Sequence, residues 1–161
     1  MEAVRVLMER LKLTVNEEKT GRCRLPQERF DFLGYTFGRC YSRQTGRAYI
    51  GTRPSKKSVR KVCRGISEVT NCRWLLKDSE DRVAALNRIL VGWANYFSLG
   101  PVNKAYRAVD AHASARLRRW LCAKHKWPDQ GTARCPDEHL YAGLGLQRLS
   151  VRTRDLPWAK A

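Results

Sequence analysis

Between residues 78 and 97 the chain reads DSEDRVAALNRILVGWANYF, with apolar residues at intervals of three and four. Val83, Leu86, Ile89, Leu90, Trp93 and Phe97 line up only if this stretch is a helix. Asp78 or Ser79 suits its N-cap, and the acids beside them suit its positive end. Gly100-Pro101 ends it. A helix this apolar must be covered by others, so the fold is built around it. At this spacing Trp93 reads as core rather than as a platform for stacking a base.

The segments on either side are strongly basic. Residues 53–77 carry eight basic side chains against one acid, and residues 101–126 carry seven against one. Those two segments hold 13 of the 17 net positive charges of the 161-residue chain. The first, RPSKKSVRKVCRGISEVTN, starts a helix at Pro54-Ser55. Val59, Val62, Cys63, Ile66 and Val69 form its apolar face, and Lys57, Arg60, Lys61 and Arg64 lie opposite. The second runs from Pro101 to about Lys126, with Val102, Tyr106, Val109, Ala113, Leu117, Trp120 and Leu121 as its stripe. Arg116, Arg118, Arg119, Lys124 and Lys126 crowd its C-terminal half. Helix-dipole complementarity accounts for one or two cations there, not five. Three helices with short links predict a small antiparallel bundle.

The first 52 residues follow another pattern. Val4, Leu7, Met8 and Leu11 predict a short amphipathic helix. Phe30, Phe32, Tyr35, Phe37 and Tyr41 mark extended structure, with Gly34 as a break or bulge, and RQTGRAYIG reads as a hairpin turn and return strand. After Trp127-Pro128 periodicity fades. Residues 128–137 read as a loop, HLYAGLGLQRL as a last short helix or strand, and the rest as a tail.

A net charge of +17 and a pI near 10.2 turn the reading away from ordinary metabolic enzymes and toward a polyanionic partner. Arg and Lys interleaved with Trp and Tyr favour nucleic acid over lipid, without choosing RNA or DNA. The sequence has no apolar run long enough to span a membrane and no signal-peptide pattern, which predicts a cytoplasmic, bacterial location. The six cysteines show no CxxC pair and read as free thiols. GLGL at 143–146 lacks the flanking strand and helix of a phosphate loop, and no acid pair stands ready to hold two metal ions. No catalytic constellation can be assembled. Cys122, His125, Cys135 and His139 have a C-x2-H-x9-C-x3-H spacing that could hold zinc; two thiols and two surface imidazoles are the simpler reading.

Five blocks in order carry a resemblance: LMERLKLTVNEEKT (7–20), FDFLGYTF (30–37), RPSKKSVRKV (53–62), LNRILVGWANYFSLG (86–100) and RLRRWLCAKHKW (116–127). Together they resemble the C-terminal part of the group II intron reverse transcriptase–maturase family. LNRILVGWANYF is the most specific match, and LYAGLGLQRLS and LPWAKA also look familial. The resemblance implies an α+β chain in three parts. Residues 1–53 would be a strand-containing remnant of the polymerase palm, 54–127 a mainly α three-helix thumb or maturase bundle, and 128–161 a C-terminal extension.

The palm's YADD metal-binding carboxylates would lie upstream, and neither they nor the family's HNH nuclease module occur here. The resemblance therefore does not imply polymerase activity for this chain alone. It implies no cofactor either, beyond magnesium held by bound RNA or by a complete polymerase. Asn16 and Lys19 fall in the block resembling L-x-N-x-x-K-T, and Phe32, Leu33 and Gly34 in a primer-grip-like block. Lys19 and Gly34 would touch primer or nucleotide in a complete enzyme. Trp93, Tyr96 and Phe97 fall in the maturase signature, mainly as core. Cys122, Cys135 and His139 have no place in the family pattern, which weighs against zinc.

The expected function is an RNA-binding module that holds intron RNA in its splicing-competent shape. Its expected contacts are Arg53, Lys56, Lys57, Arg60, Lys61 and Arg64 on the first basic segment, and Lys104, Arg107, Arg116, Arg118, Arg119, Lys124 and Lys126 on the second. The alternatives are a piece of a split reverse transcriptase, completed by a separate fingers–palm chain, or a non-functional remnant of one. RNA/DNA duplex is the second candidate ligand.

Overall fold

The computed structural model describes residues 2–14, 21, 23–42, 45–127 and 134–156. Helix α1 (Glu2–Arg10) precedes three strands, β1 (Phe30–Phe32), β2 (Tyr35–Tyr41) and β3 (Ala48–Pro54). Helices α2 (Lys56–Val69), α3 (Ser79–Tyr96) and α4 (Asn103–His125) follow, then a single α-helical turn, α5 (Leu149–Arg152), which runs into a 3-10 turn over Thr153–Asp155. The fold is α+β, with α1 and the strands in the first third and the other helices after them.

The sheet is antiparallel in the order β1-β2-β3. Phe32 pairs with Tyr35, so Leu33 and Gly34 alone make the first hairpin turn, at φ of 48° and 80°. Two successive positive φ values define the turn whose twist matches the strands. Gly34 is thus a turn residue rather than a bulge. Alternation places Phe30, Phe32, Tyr35, Phe37, Arg39, Tyr41 and Ile50 on one face. Asp31, Thr36, Gly38, Cys40, Gly51 and Arg53 lie on the other. Phe30 stacks on Phe37 with centroids 5.0 Å apart. Tyr35 is buried, but Phe30, Phe32, Tyr41 and Ile50 on the same face are exposed. Leu7 of α1, and Leu11 and Leu13 after it, are exposed too.

All seven residues of the expected apolar stripe of α4 are buried, as are Val83, Leu86, Leu90 and Phe97 of the α3 stripe. Val62 and Ile66 seal α2 onto them. Ser55 caps α2 by accepting from the amide of Ser58 at 3.1 Å. Asp78 holds the N-cap position of α3 without a side-chain bond to the helix. That helix ends at Tyr96, before the Gly100-Pro101 break expected to stop it. The break has a different use. Gly100 has φ of 76°, and a β-carbon there would lie 2.0 Å from the carbonyl oxygen of Thr52. Only glycine lets the α3–α4 link pass against β3.

The C-terminal extension belongs to the same core. Cys135, Leu140, Leu146 and Leu149 are buried within the α2–α4 cluster. HLYAGLGLQRL forms a π-helical turn over His139–Gly143 and then leads into α5. Asn87 of α3 fixes the connection, donating to the carbonyl of Gly145 and accepting from the amide of Gln147. Asp110 of α4, 7% exposed, accepts from the amides of Leu149 and Ser150 at 2.8 and 2.9 Å, which satisfies the first donors of α5. Asp110→Ala should cost about 2 kcal/mol of stability in urea unfolding. It should also speed hydrogen exchange at Leu149 and Ser150 before the rest of the chain, with Asp110→Asn intermediate.

Candidate nucleic-acid interface

Helix α2 packs against α3 on one flank and α4 on the other. Its apolar stripe faces both, and its polar face projects between them as a ridge. Lys56, Lys57, Arg60, Lys61 and Arg64 are all exposed on that ridge. Lys57 and Lys61 border a groove of about 610 Å³ toward α3, with Gly34, Trp93, Tyr96 and Phe97 behind them. Lys56 and Arg60 border a second groove of about 570 Å³ toward α4, which Arg53 and Lys104 also line. Arg29, before β1, lines the second groove as well. No periodic segment covers Arg29, so nothing in the sequence singled it out.

The cations of α4 divide into two groups. Arg116 donates to Thr70 Oγ1 and to the carbonyls of Ser67 and Thr70 at 3.1–3.2 Å, closing the C-terminal end of α2. Arg118 donates to the carbonyl of Cys135 at 2.8 Å and pairs with Asp137, which also binds Arg148. Lys124 donates to the carbonyls of Leu75 and Lys77 at 3.0 and 2.7 Å. These three expected RNA contacts are therefore tied to backbone or side-chain acceptors of the protein itself. Their charges offset helix and loop carbonyls that the packing brings to α4. Lys104, Arg107, Arg119 and Lys126 are exposed.

The aromatic residues of the maturase-like block join the sheet to the bundle. Tyr35 donates to the carbonyl of Tyr96 at 2.6 Å, and Tyr106 donates to the carbonyls of Ala94 and Phe97 at 2.9 and 3.0 Å. Burial pushes the phenols of Tyr35 and Tyr106 above their ordinary pKa, so both stay protonated donors at neutral pH. Tyr96 in turn donates to the carbonyl of Leu33, and the amide of Ser55 donates to that of Gly34. A β-carbon on Gly34 would come within 2.9 Å of the Phe97 ring, so this glycine seats Phe97. Asn16 and Lys19 lie outside the described residues.

The four zinc-spaced residues do not converge. The rings of His125 and Trp127 stack at 4.8 Å, while Cys122 and Cys135 are buried. Among the described residues no three His, Cys, Asp or Glu side chains gather where they could hold a metal ion. Nor, among those residues, is any helix long and apolar enough to cross a membrane. Burial pushes the thiol of Cys63, on the packed side of α2, above its ordinary pKa. His112 sits beside it, with Nε2 at 3.0 Å from Ser67 Oγ and 3.1 Å from the carbonyl oxygen of Cys63, and stitches α4 to α2.

Fold and site together define a small α+β protein whose core helix carries two basic partners and displays one of them as a ridge. Comparison with family models finds a match for part of the chain: residues 59–135 match the group II intron, maturase-specific domain. The match covers 77 of the 161 residues, from within α2 to Cys135. No curated protein matches the chain.

The division of the α4 cations can be measured. Arg116→Ala should lower stability by about 2 kcal/mol through its lost bonds to α2, whereas Arg119→Ala should stay within about 0.5 kcal/mol. Equal losses in urea unfolding would refute it.

Proposed function

We propose that the protein is an RNA-binding maturase-type module that stabilises a group II intron RNA in its splicing-competent shape. The observation that carries this reading is the exposed ridge of five cations on α2, between two grooves, with Arg60, Lys61 and Arg64 inside the segment that matches the maturase-specific domain. Lysine and arginine pair with phosphates through charge-assisted hydrogen bonds, and binding releases the counterions condensed on the RNA. These contacts position the RNA; its own folded shape, with its magnesium, performs the chemistry.

Reversing Lys57, Lys61 and Arg64 to Glu should weaken binding to a folded group II intron RNA at least tenfold near physiological salt. It should also flatten the dependence of affinity on salt. A salt series against an equal-length unrelated RNA is the check, and unchanged affinity for the intron would sink the reading.

The exposed face of Phe30, Phe32, Tyr41 and Ile50 favours a second reading. In it the chain is one piece of an RNA-directed DNA polymerase, and a separate fingers–palm polypeptide covers that face. Primer extension by the mixture, and by neither chain alone, is the expected result. Phe32→Asp should abolish it by weakening association; extension at an unchanged rate with that variant would exclude this mode of assembly.

A further inference from the structure

We propose that the groove between α2, α4 and the glycine-bearing face of the sheet is a second binding site for the sugar–phosphate backbone of RNA. Arg29 of the strand block is one of its contacts. The inference rests on the RNA-binding reading and extends it beyond the α2 ridge.

Five cations from separate parts of the chain line this groove: Arg29, Arg53, Lys56, Arg60 and Lys104. Among the described residues Asp31 is the one acid that lines it, and the Thr36 hydroxyl donates to that carboxylate at 2.5 Å. The remaining wall is short or apolar: Pro54, Val59, Pro101, Ala105 and Ala108. Like charges gathered in one concavity repel each other and focus a positive field, and a run of anions relieves both. The first turns of α2 and α4 border the groove, and α4 begins without a side-chain cap. Its leading amides add partial positive charge on the same side. Charge spread over the pre-β1 loop, β3 and two helices suits consecutive phosphates better than a single small anion.

The sheet contributes by a specific device. Gly38 and Gly51 pair across β2 and β3, so neighbouring side chains close over the backbone there: the Tyr49 ring over Gly51 and Arg29 over Gly38. A β-carbon on Gly38 would lie 2.6 Å from Cγ of Arg29 and 3.4 Å from its Cβ and Cδ. The aliphatic stem of Arg29 therefore lies directly on the backbone of Gly38, where Arg29 lines the groove. Gly38 acts as a positioning residue. Arg29, Arg53 and Lys56 all precede residue 59, so the groove joins the matched domain to chain outside it.

The test is binding of the full chain to a folded group II intron RNA and to an equal-length unrelated RNA, across a salt series. Arg29→Ala/Lys104→Ala should lose about tenfold in affinity near physiological salt, and the slope of log affinity against log salt should shrink by roughly 0.7–0.9 per cation removed. Arg88→Ala, on the exposed side of α3, should match the wild type. Gly38→Ala should weaken binding in the same direction, and adding it to Arg29→Ala should cost nothing more. A double variant with the slope of Arg88→Ala overturns the groove, and leaves the splicing reading standing if intron preference persists. Slope loss on both RNAs without intron preference overturns the splicing reading and keeps the groove. Tripolyphosphate that displaces RNA at equal phosphate concentration would assign the groove to free polyphosphates and overturn the proposal.

Discussion

The structure depends on how the carbonyl end of α3 is satisfied. A helix leaves its last carbonyls without partners, and this end lies where the sheet, α3 and α4 meet. Two phenols supply the donors, Tyr35 from β2 and Tyr106 from α4. Each bond contributes about 1 kcal/mol, but leaving those buried carbonyls bare would cost more. The geometry also ties three separate parts of the sequence to one point. Phe97 fills the space between them, tilted against Tyr35 and Trp93 with ring centroids 5.0 Å away in both cases. Gly34 and Gly100 are small where they are because the β-hairpin and the α3–α4 link close in on this junction from two sides.

Given that junction, the charge sorts itself. Carbonyls from the end of α2, from the turn after it and from the segment after residue 133 meet the covered side of α4. Arg116, Arg118 and Lys124 answer them. α2 packs on α3 and α4 through its apolar stripe, so the cations of its opposite face reach solvent. A single excess of positive charge thus divides into two kinds of work: Arg116, Arg118 and Lys124 hold α4 to its neighbours, while the cations of α2 and Lys104, Arg107, Arg119 and Lys126 of α4 face solvent. Counting basic residues could not have made that division, because it follows from which carbonyls come to rest beside each cation.

The helices were legible because periodicity and charge agree in them. The stripe of α4 is buried in full, and Pro54-Ser55 opens α2 as its chemistry demands. The α+β order was legible for the same reason. Three features were not. The end of α3 depends on two distant tyrosines rather than on the Gly-Pro that comes after it. Asp110 reads as one acid among cations on a helix, and its role appears only when residues 149 and 150 come to rest beside it. The groove with Arg29 joins residues far apart in the chain, and no local spacing encodes such a meeting. The candidate zinc set failed for the opposite reason: its local spacing was suggestive, but two of its members turn inward and one stacks on an indole.

The family match stops at residue 135, while the hydrophobic core does not. Leu140, Leu146 and Leu149 lie beyond that limit, and Asn87 and Asp110 inside it hold the backbone of residues 145–150. The unit defined by recurrence among sequences is therefore smaller than the unit that closes a core. An expression fragment trimmed to the matched segment would bare an oily flank on α3 and α4 and strand a buried carboxylate without its amides. The minimal autonomous piece has to be cut by packing, past residue 153, where the hydroxyl of Thr153 turns back on the carbonyl of Ser150.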